Sequence, residues 1–143
     1  MSLALVRRAL ETTLAAISPA LPTAWENVAP ENTSGVETAP AASTAYQAAF
    51  LLPAPPANPE IGPGYIEQGI FQVSLFYPLG NGSSDATARA ALIRAAFPFA
   101  STHAASGVTV LITQTPEVGP ARIEDEQYFL PVRIRFQSHI AGG

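Results

Sequence analysis

The feature that most constrains this chain is an alternation near its C-terminal end. Tyr128, Leu130, Val132, Ile134 and Phe136 alternate with Gln127, Pro131, Arg133 and Arg135. A period of two turns successive side chains to opposite sides, so this is a β-strand with one apolar face against a core and one polar face. The chain must therefore build a sheet. Pro131 interrupts the row, and because proline has no amide donor the strand is predicted to lie at an edge or to carry a bulge there.

The other elements fit around that strand. Val6, Leu10, Leu14 and Ile17 recur at spacings of three and four from Leu3 onward, which predicts a helix of about four turns capped by Ser2 and stopped by Ser18-Pro19 and Pro22. Tyr46, Ala48, Phe50 and Leu52 alternate with less apolar neighbours and predict a strand that Pro53-Ala54-Pro55-Pro56 should end. Tyr65 to Tyr77 reads as a long strand with Phe71, Val73, Leu75 and Tyr77 on one side, closed by Pro78 and the Gly80-Asn81-Gly82-Ser83 turn. A second helix starts at Ser84 or Asp85. Its small residues Ala88, Ala91, Leu92, Ala95 and Ala96 are expected against the sheet, with Arg89 and Arg94 in solvent. Val108, Val110 and Ile112 form a further strand.

The expected architecture is α+β in two layers. A mainly antiparallel four-stranded sheet would carry two helices on one face, in the order α-β-β-α-β-β. At 143 residues one domain is the default, with long loops near 28–44 and 53–64.

Composition narrows the chemistry. There is no cysteine, so disulfide scaffolds, thiol enzymes and Cys-based zinc sites are excluded, and all seven basic residues are Arg, which excludes Schiff-base lysine chemistry. The net charge of -4 repels a phosphate backbone. The order of apolar and basic residues from Met1 to Arg8 is wrong for a secretory signal, and no apolar run approaches the ~18 residues of a membrane span. A soluble protein made in a cytoplasm is expected.

The polar constellations are sparse. His103 and His139 have no Asp, Glu or His at ligand spacing and read as ordinary loop histidines. Gly62-Pro63-Gly64 and Gly80-Asn81-Gly82 are turns, not phosphate cradles. Glu124, Asp125 and Glu126 form the one dense acidic cluster, which either stays solvated and meets Arg or holds a hard cation; no spaced ligands extend it. Arg133 and Arg135 share the polar face of the last strand. They read as a solvated face or a contact to carboxylates of a neighbouring subunit, with nucleic-acid reading the weaker alternative. Trp25 is either a lid on the core or an interface anchor. No catalytic constellation, cofactor site or metal site emerges.

The order of motifs resembles a known family. Leu14-Ala15-Ala16-Ile17-Ser18-Pro19, then Pro22-Thr23-Ala24-Trp25-Glu26-Asn27-Val28, resembles the start of the small tail terminator-like proteins of long-tailed bacteriophages. Gly64 to Val73, Phe76-Tyr77-Pro78-Leu79-Gly80, Ala88 to Phe97-Pro98, Gly107-Val108-Thr109-Val110 and Tyr128-Phe129-Leu130-Pro131-Val132 follow in that family's order. The resemblance implies a structural virion protein and no enzyme. Such proteins form a ring, commonly a hexamer, that caps the tail tube, ends its polymerisation and offers a surface for head joining. Implied partners are further copies of the chain, the tail tube protein and a head-completion or connector protein, with DNA passing through the channel without specific binding and no membrane. Trp25, Pro55, Pro56, Ile61, Tyr65, Glu124, Asp125, Glu126, Arg133 and Arg135 are then the candidate subunit-interface residues, Arg133 and Arg135 meeting the acidic cluster. The alternatives are a head-tail connector or minor tail protein, and a small-molecule or peptide-binding domain.

Overall fold

The computed structural model describes residues 2–18, 21, 23–25, 45–59, 61–80, 84–124 and 127–140. Among these described residues two helices, α1 (Ser2–Ala15) and α2 (Ser84–Ala96), accompany eight strands. These are β1 (Thr23–Ala24), β2 (Tyr46–Ala57), β3 (Tyr65–Pro78), β4 (Thr102–Ala105), β5 (Val108–Ile112), β6 (Glu117–Val118), β7 (Arg122–Glu124) and β8 (Gln127–Ile140). The loop expected at 28–44 lies outside the described residues.

This corrects the expected four-stranded, α-β-β-α-β-β architecture. The strands form one curled, mixed, eight-stranded sheet in the order β1-β2-β3-β8-β5-β4, with β6 and β7 also on β8. The extra strands escape the sequence because they are two to four residues long, too short to show a period. One had a local signal. Ser106 and Gly107, both at positive φ, form the two-residue turn between Ala105 and Val108, a dipeptide that closes a hairpin and so demands a strand before β5.

The central pairing is β3 against β8, antiparallel and without a slip from Tyr65↔Ile140 to Pro78↔Gln127. The opposite side of β8 is shared by β7 at Gln127 to Phe129, β6 at Val132 and Arg133, and β5 at Phe136 and Gln137. Pro131 therefore sits in an interior strand, not at an edge. Its carbonyl accepts the Gly119 amide at 2.9 Å, so its nitrogen faces the same side, at the break between β6 and β7 where no ladder partner calls for a donor.

The prolines of β2 behave likewise. Pro53 to Pro56 were expected to begin a loop, yet β2 continues through them to Ala57. β1 pairs with β2 only at Gln47 and Ala48, so beyond that point one side of β2 is an edge among the described residues, where a missing amide is tolerated. The register shifts between Ala54 and Ala57, and Gln68 Nε2 donates to the Pro55 carbonyl at 3.0 Å. Gly69 makes the close approach possible: a Cβ there would lie 2.5 Å from the Leu52 carbonyl oxygen.

Both helices pack on one side of the sheet. Val6, Leu10 and Leu14 of α1 and Ala86, Ala90 and Ile93 of α2 meet Ala49, Leu51, Phe71, Val73, Leu75, Ile112, Val132 and Ile134 in one buried cluster. Two elements present the opposite side from the one expected. In β2 the register Ala49↔Val73 and Leu51↔Phe71 buries Gln47, Ala49 and Leu51, and turns Tyr46, Phe50 and Leu52 away from the helices. In α2 the buried residues are Ala86, Arg89, Ala90 and Ile93, leaving Ala88, Ala91, Leu92 and Ala95 outside. Arg89, expected in solvent, is buried. Its Nε donates to Gln47 Oε1 at 3.3 Å, Gln47 Nε2 donates to Thr23 Oγ1 at 2.9 Å, and Thr23 Oγ1 donates to the Leu21 carbonyl at 2.9 Å. This relay ties α2 to β2 and β1 across the core. Arg94 does not run free either: its Nε and Nη2 donate to the Pro116 carbonyl at 3.1 and 3.0 Å.

His103 and His139 are strand residues, of β4 and β8, rather than loop histidines. Thr13 Oγ1 already donates to the Ala9 carbonyl at 3.1 Å, so it accepts from His103 Nδ1 at 3.1 Å, and His103 Nε2 accepts from Ser101 Oγ at 3.1 Å. The neutral ring thus joins α1 to β4, and burial pushes its pKa below the ordinary value.

Three measurements check this packing. Gly69→Ala forces backbone apart and should destabilise the chain by about 1–3 kcal/mol in chemical denaturation. Arg89→Met strands the Gln47 carbonyl and should cost about 1–3 kcal/mol, more than Arg94→Met. Because His103 binds its proton less readily when folded, its contribution is fully present above the unfolded value of 6.5 and is lost as pH falls through the folded value. Melting temperature should drop from pH 7.5 to pH 5.5 more steeply in the wild type than in His103→Gln.

Candidate interaction surface

The side of the sheet away from the helices has no covering layer among the described residues. Its side chains are set by the strand registers. At one end Tyr46, Phe76 and Phe129 lie in a row across β2, β3 and β8. Tyr46 stacks on Phe76 at 4.7 Å between ring centroids, Phe76 meets Phe129 at 5.1 Å, and the Arg122 guanidinium of β7 sits 4.6 Å from the Phe129 centroid. Such aromatic contacts add about 0.5–1.5 kcal/mol each beyond area burial.

Along the same side, Phe50 lies with Gln72 and Arg133, Leu52 with Ile70 and Arg135, and Ala54 with Gln68 and Gln137. Phe50 is 41% and Leu52 47% exposed. Beside Leu52 the sheet leaves an open trough of about 360 Å³ whose walls include Leu52, Ile70, Thr113, Arg135 and Gln137. Charge there is modest. Arg135 Nη2 lies 3.7 Å from Glu117 Oε1, with both side chains about half exposed, a pair worth about 0–1 kcal/mol.

The predicted interface residues separate into groups. Arg133 and Arg135 stand on this open face. Pro55 and Pro56 are exposed on β2, Ile61 is fully bare in the turn after it, and Tyr65 is half-buried at the start of β3, so these four share one end of the β2–β3 hairpin arm, flanked by β8 up to Tyr65↔Ile140. Trp25 follows β1 and packs half-buried against the core cluster. Glu124 is in β7, opposite Gln127, whereas Asp125 and Glu126 lie outside the described residues. Arg135 pairs with Glu117 of β6, a partner the sequence reading did not consider.

Other exposed apolar residues went unread. Phe50 and Leu52, beside the half-buried Ile70, mark the open face, and Leu92 (37% exposed) and Phe99 (64% exposed) mark the outer side of α2 and the turn after it. The signal for them was available: β2 and α2 are apolar on both sides, and an element that is apolar all round has something to cover each side. Among the described residues no group of three His, Asp or Glu gathers to hold a metal, and no helix is long and apolar enough to cross a membrane.

Comparison with known proteins agrees with the motif order. A family model described as phage tail terminator protein matches residues 3–136, which takes in both helices and most of β8. One solved structure, 27% identical over 100% of this chain and 99% of its own, superimposes with a TM-score of 0.73. Comparison with curated protein sequences finds no match. With a family match over residues 3–136 and a solved relative that shares the fold along its whole length, this chain belongs to the phage tail terminator family, structural proteins of tail completion.

Proposed function

We propose that copies of this chain close into a ring, six in the form common to the family, that caps the phage tail tube, ends its polymerisation and presents the surface for head joining. The carrying observation is that two elements are apolar on both sides. β2 shows Phe50 and Leu52 on the open face, and α2 shows Leu92 with Ala88, Ala91 and Ala95 on the opposite side of the molecule, with the exposed Phe99 in the turn that follows α2. A ring needs different, complementary patches on each subunit, because a head-to-tail contact is not self-complementary. On this reading the open face and the hairpin arm, with Pro55, Pro56, Ile61, Arg133 and Arg135, make the subunit contact. The outer side of α2 then meets the tube or the head-completion protein. The ring is a tail component of the virion, assembled in the host cytoplasm. Its net charge of -4 per chain keeps the channel from holding the DNA that passes through it.

Light scattering and negative-stain images, with and without tail tubes, test this. The wild type should give a particle several times the 14.9 kDa chain mass and should cap tubes at a uniform length. Phe50→Asp with Leu52→Asp should leave a folded monomer, whereas Leu92→Asp with Phe99→Asp should leave the ring and lose the tubes. A wild-type chain that stays monomeric with tubes present, and tubes that grow without limit, would refute the ring cap.

A further inference from the structure

We propose that the β2–β3 hairpin arm of one copy seats in the open trough of the next, placing Ile61 against Leu52 and Ile70. This rests on the ring reading and deepens it by naming the two surfaces that meet. Ile61 is 106% exposed, the most solvent-bared large apolar side chain among the described residues, in the turn of the β2–β3 arm, past Leu51 and Phe71, the strand residues nearest that turn in the core cluster. The neighbouring Pro59 and Pro63 are exposed as well. Proline limits the freedom such a turn loses on docking, so a bare isoleucine held between two prolines is prepared for a contact.

The trough has the complementary character. Leu52 and Ile70 provide apolar walls, and Gln68, Thr113, Arg135 and Gln137 provide a polar rim. Charge points the same way. From Pro53 to Glu67 the chain carries only Glu60 and Glu67, both acidic, whereas the open face beside the trough carries Arg133 and Arg135 against the single Glu117. Complementary charge sets the register of a contact and suppresses wrong ones.

The arm cannot fill its own trough. Leu52 and Ile70, which pair with each other, lie four residues up β3 from Ile66, the last β2–β3 pairing before the turn, so although the trough reaches Ala54 and Gln68, the two apolar walls that Ile61 would meet stand about 13 Å back along an extended hairpin. A contact between the two must join separate copies. Because the arm and the trough are different patches, each copy has one of each to offer, and the chain of contacts continues until it closes.

The absence of cysteine in the chain makes the test direct. Ile61→Cys and Leu52→Cys are prepared as single variants, mixed, concentrated and oxidised, with Ile61→Cys plus Phe99→Cys as the control mixture. The expected result is a disulfide-linked pair of chains in the first mixture, in several-fold excess over either variant alone and over the control. In parallel, Ile61→Asp should raise the concentration at which the ring half-assembles by about tenfold or more, with an unchanged melting temperature. Rings that form normally while the mixture gives no excess cross-link and Ile61→Asp assembles like wild type would overturn this contact and leave the ring reading in place. Absence of any ring, even with tail tubes, would overturn both.

Discussion

The rest of the structure depends on the unslipped pairing of β3 with β8. Fourteen consecutive register positions hold two long strands together, and the inward set of both strands, from Phe71, Val73 and Leu75 to Leu130, Val132 and Ile134, follows from that alignment. A shift by one residue would turn Phe71, Val73 and Leu75 out and Gln72 and Ser74 in. The same alignment places Phe76 beside Phe129, Ile70 beside Arg135 and Gln72 beside Arg133, so the pattern of the open face is a by-product of packing the covered one. The free side of β8 then takes three short partners in succession, and the sheet can curl because no single long strand straightens it on that side.

Burial and exposure are distributed in a way that suits a protein working through contact with other chains. The covered side of the sheet is satisfied by α1 and α2, and its buried polar groups are joined in the Arg89–Gln47–Thr23 relay, which leaves no buried side-chain polar atom unpaired among the described residues. The open side is different. Phe50 and Leu52 remain in solvent although equally apolar residues of the same strand are buried, and the outer side of α2 repeats the arrangement. Apolar surface of this kind gains by being covered, at roughly 25 cal/mol per Å² removed from water. Ion pairing contributes little by comparison, since the Arg135–Glu117 contact is half in solvent.

How far the fold could be read from the sequence varies by element, for physical reasons. β8 and α1 were legible because in each of them apolar and polar residues segregate to opposite sides, and β3 and β5 because one side of each, Phe71, Val73 and Leu75 or Val110 and Ile112, is wholly apolar and buried. β2 and α2 were legible as elements but not in their facing. With Gln47, Ala49 and Leu51 on one side of β2 and Tyr46, Phe50 and Leu52 on the other, periodicity favours the larger set, and the structure buries the smaller one. In α2 the charge of Arg89 pointed to solvent, yet a relay to Gln47 makes its burial affordable in a way no single-sequence pattern reveals. The prolines misled for a related reason. Pro53 and Pro131 signal a strand end only when their missing donor faces a ladder partner, and here neither does.

The candidate surface shows the same division. Pro55, Pro56, Ile61, Arg133 and Arg135 were identifiable because they are residue types that stand out at their positions, and the order of motifs already pointed to the family. Local order along the chain determined the presence of a sheet, the positions but not the ends of the long strands and the first helix, and the lack of a thiol or lysine chemistry. Tertiary structure alone decided which side of β2 and α2 faces water, how many strands the sheet has, and that Arg135 meets Glu117. These depend on register and on contacts between distant segments, and where an element is apolar on both sides only its neighbours in space can choose between them.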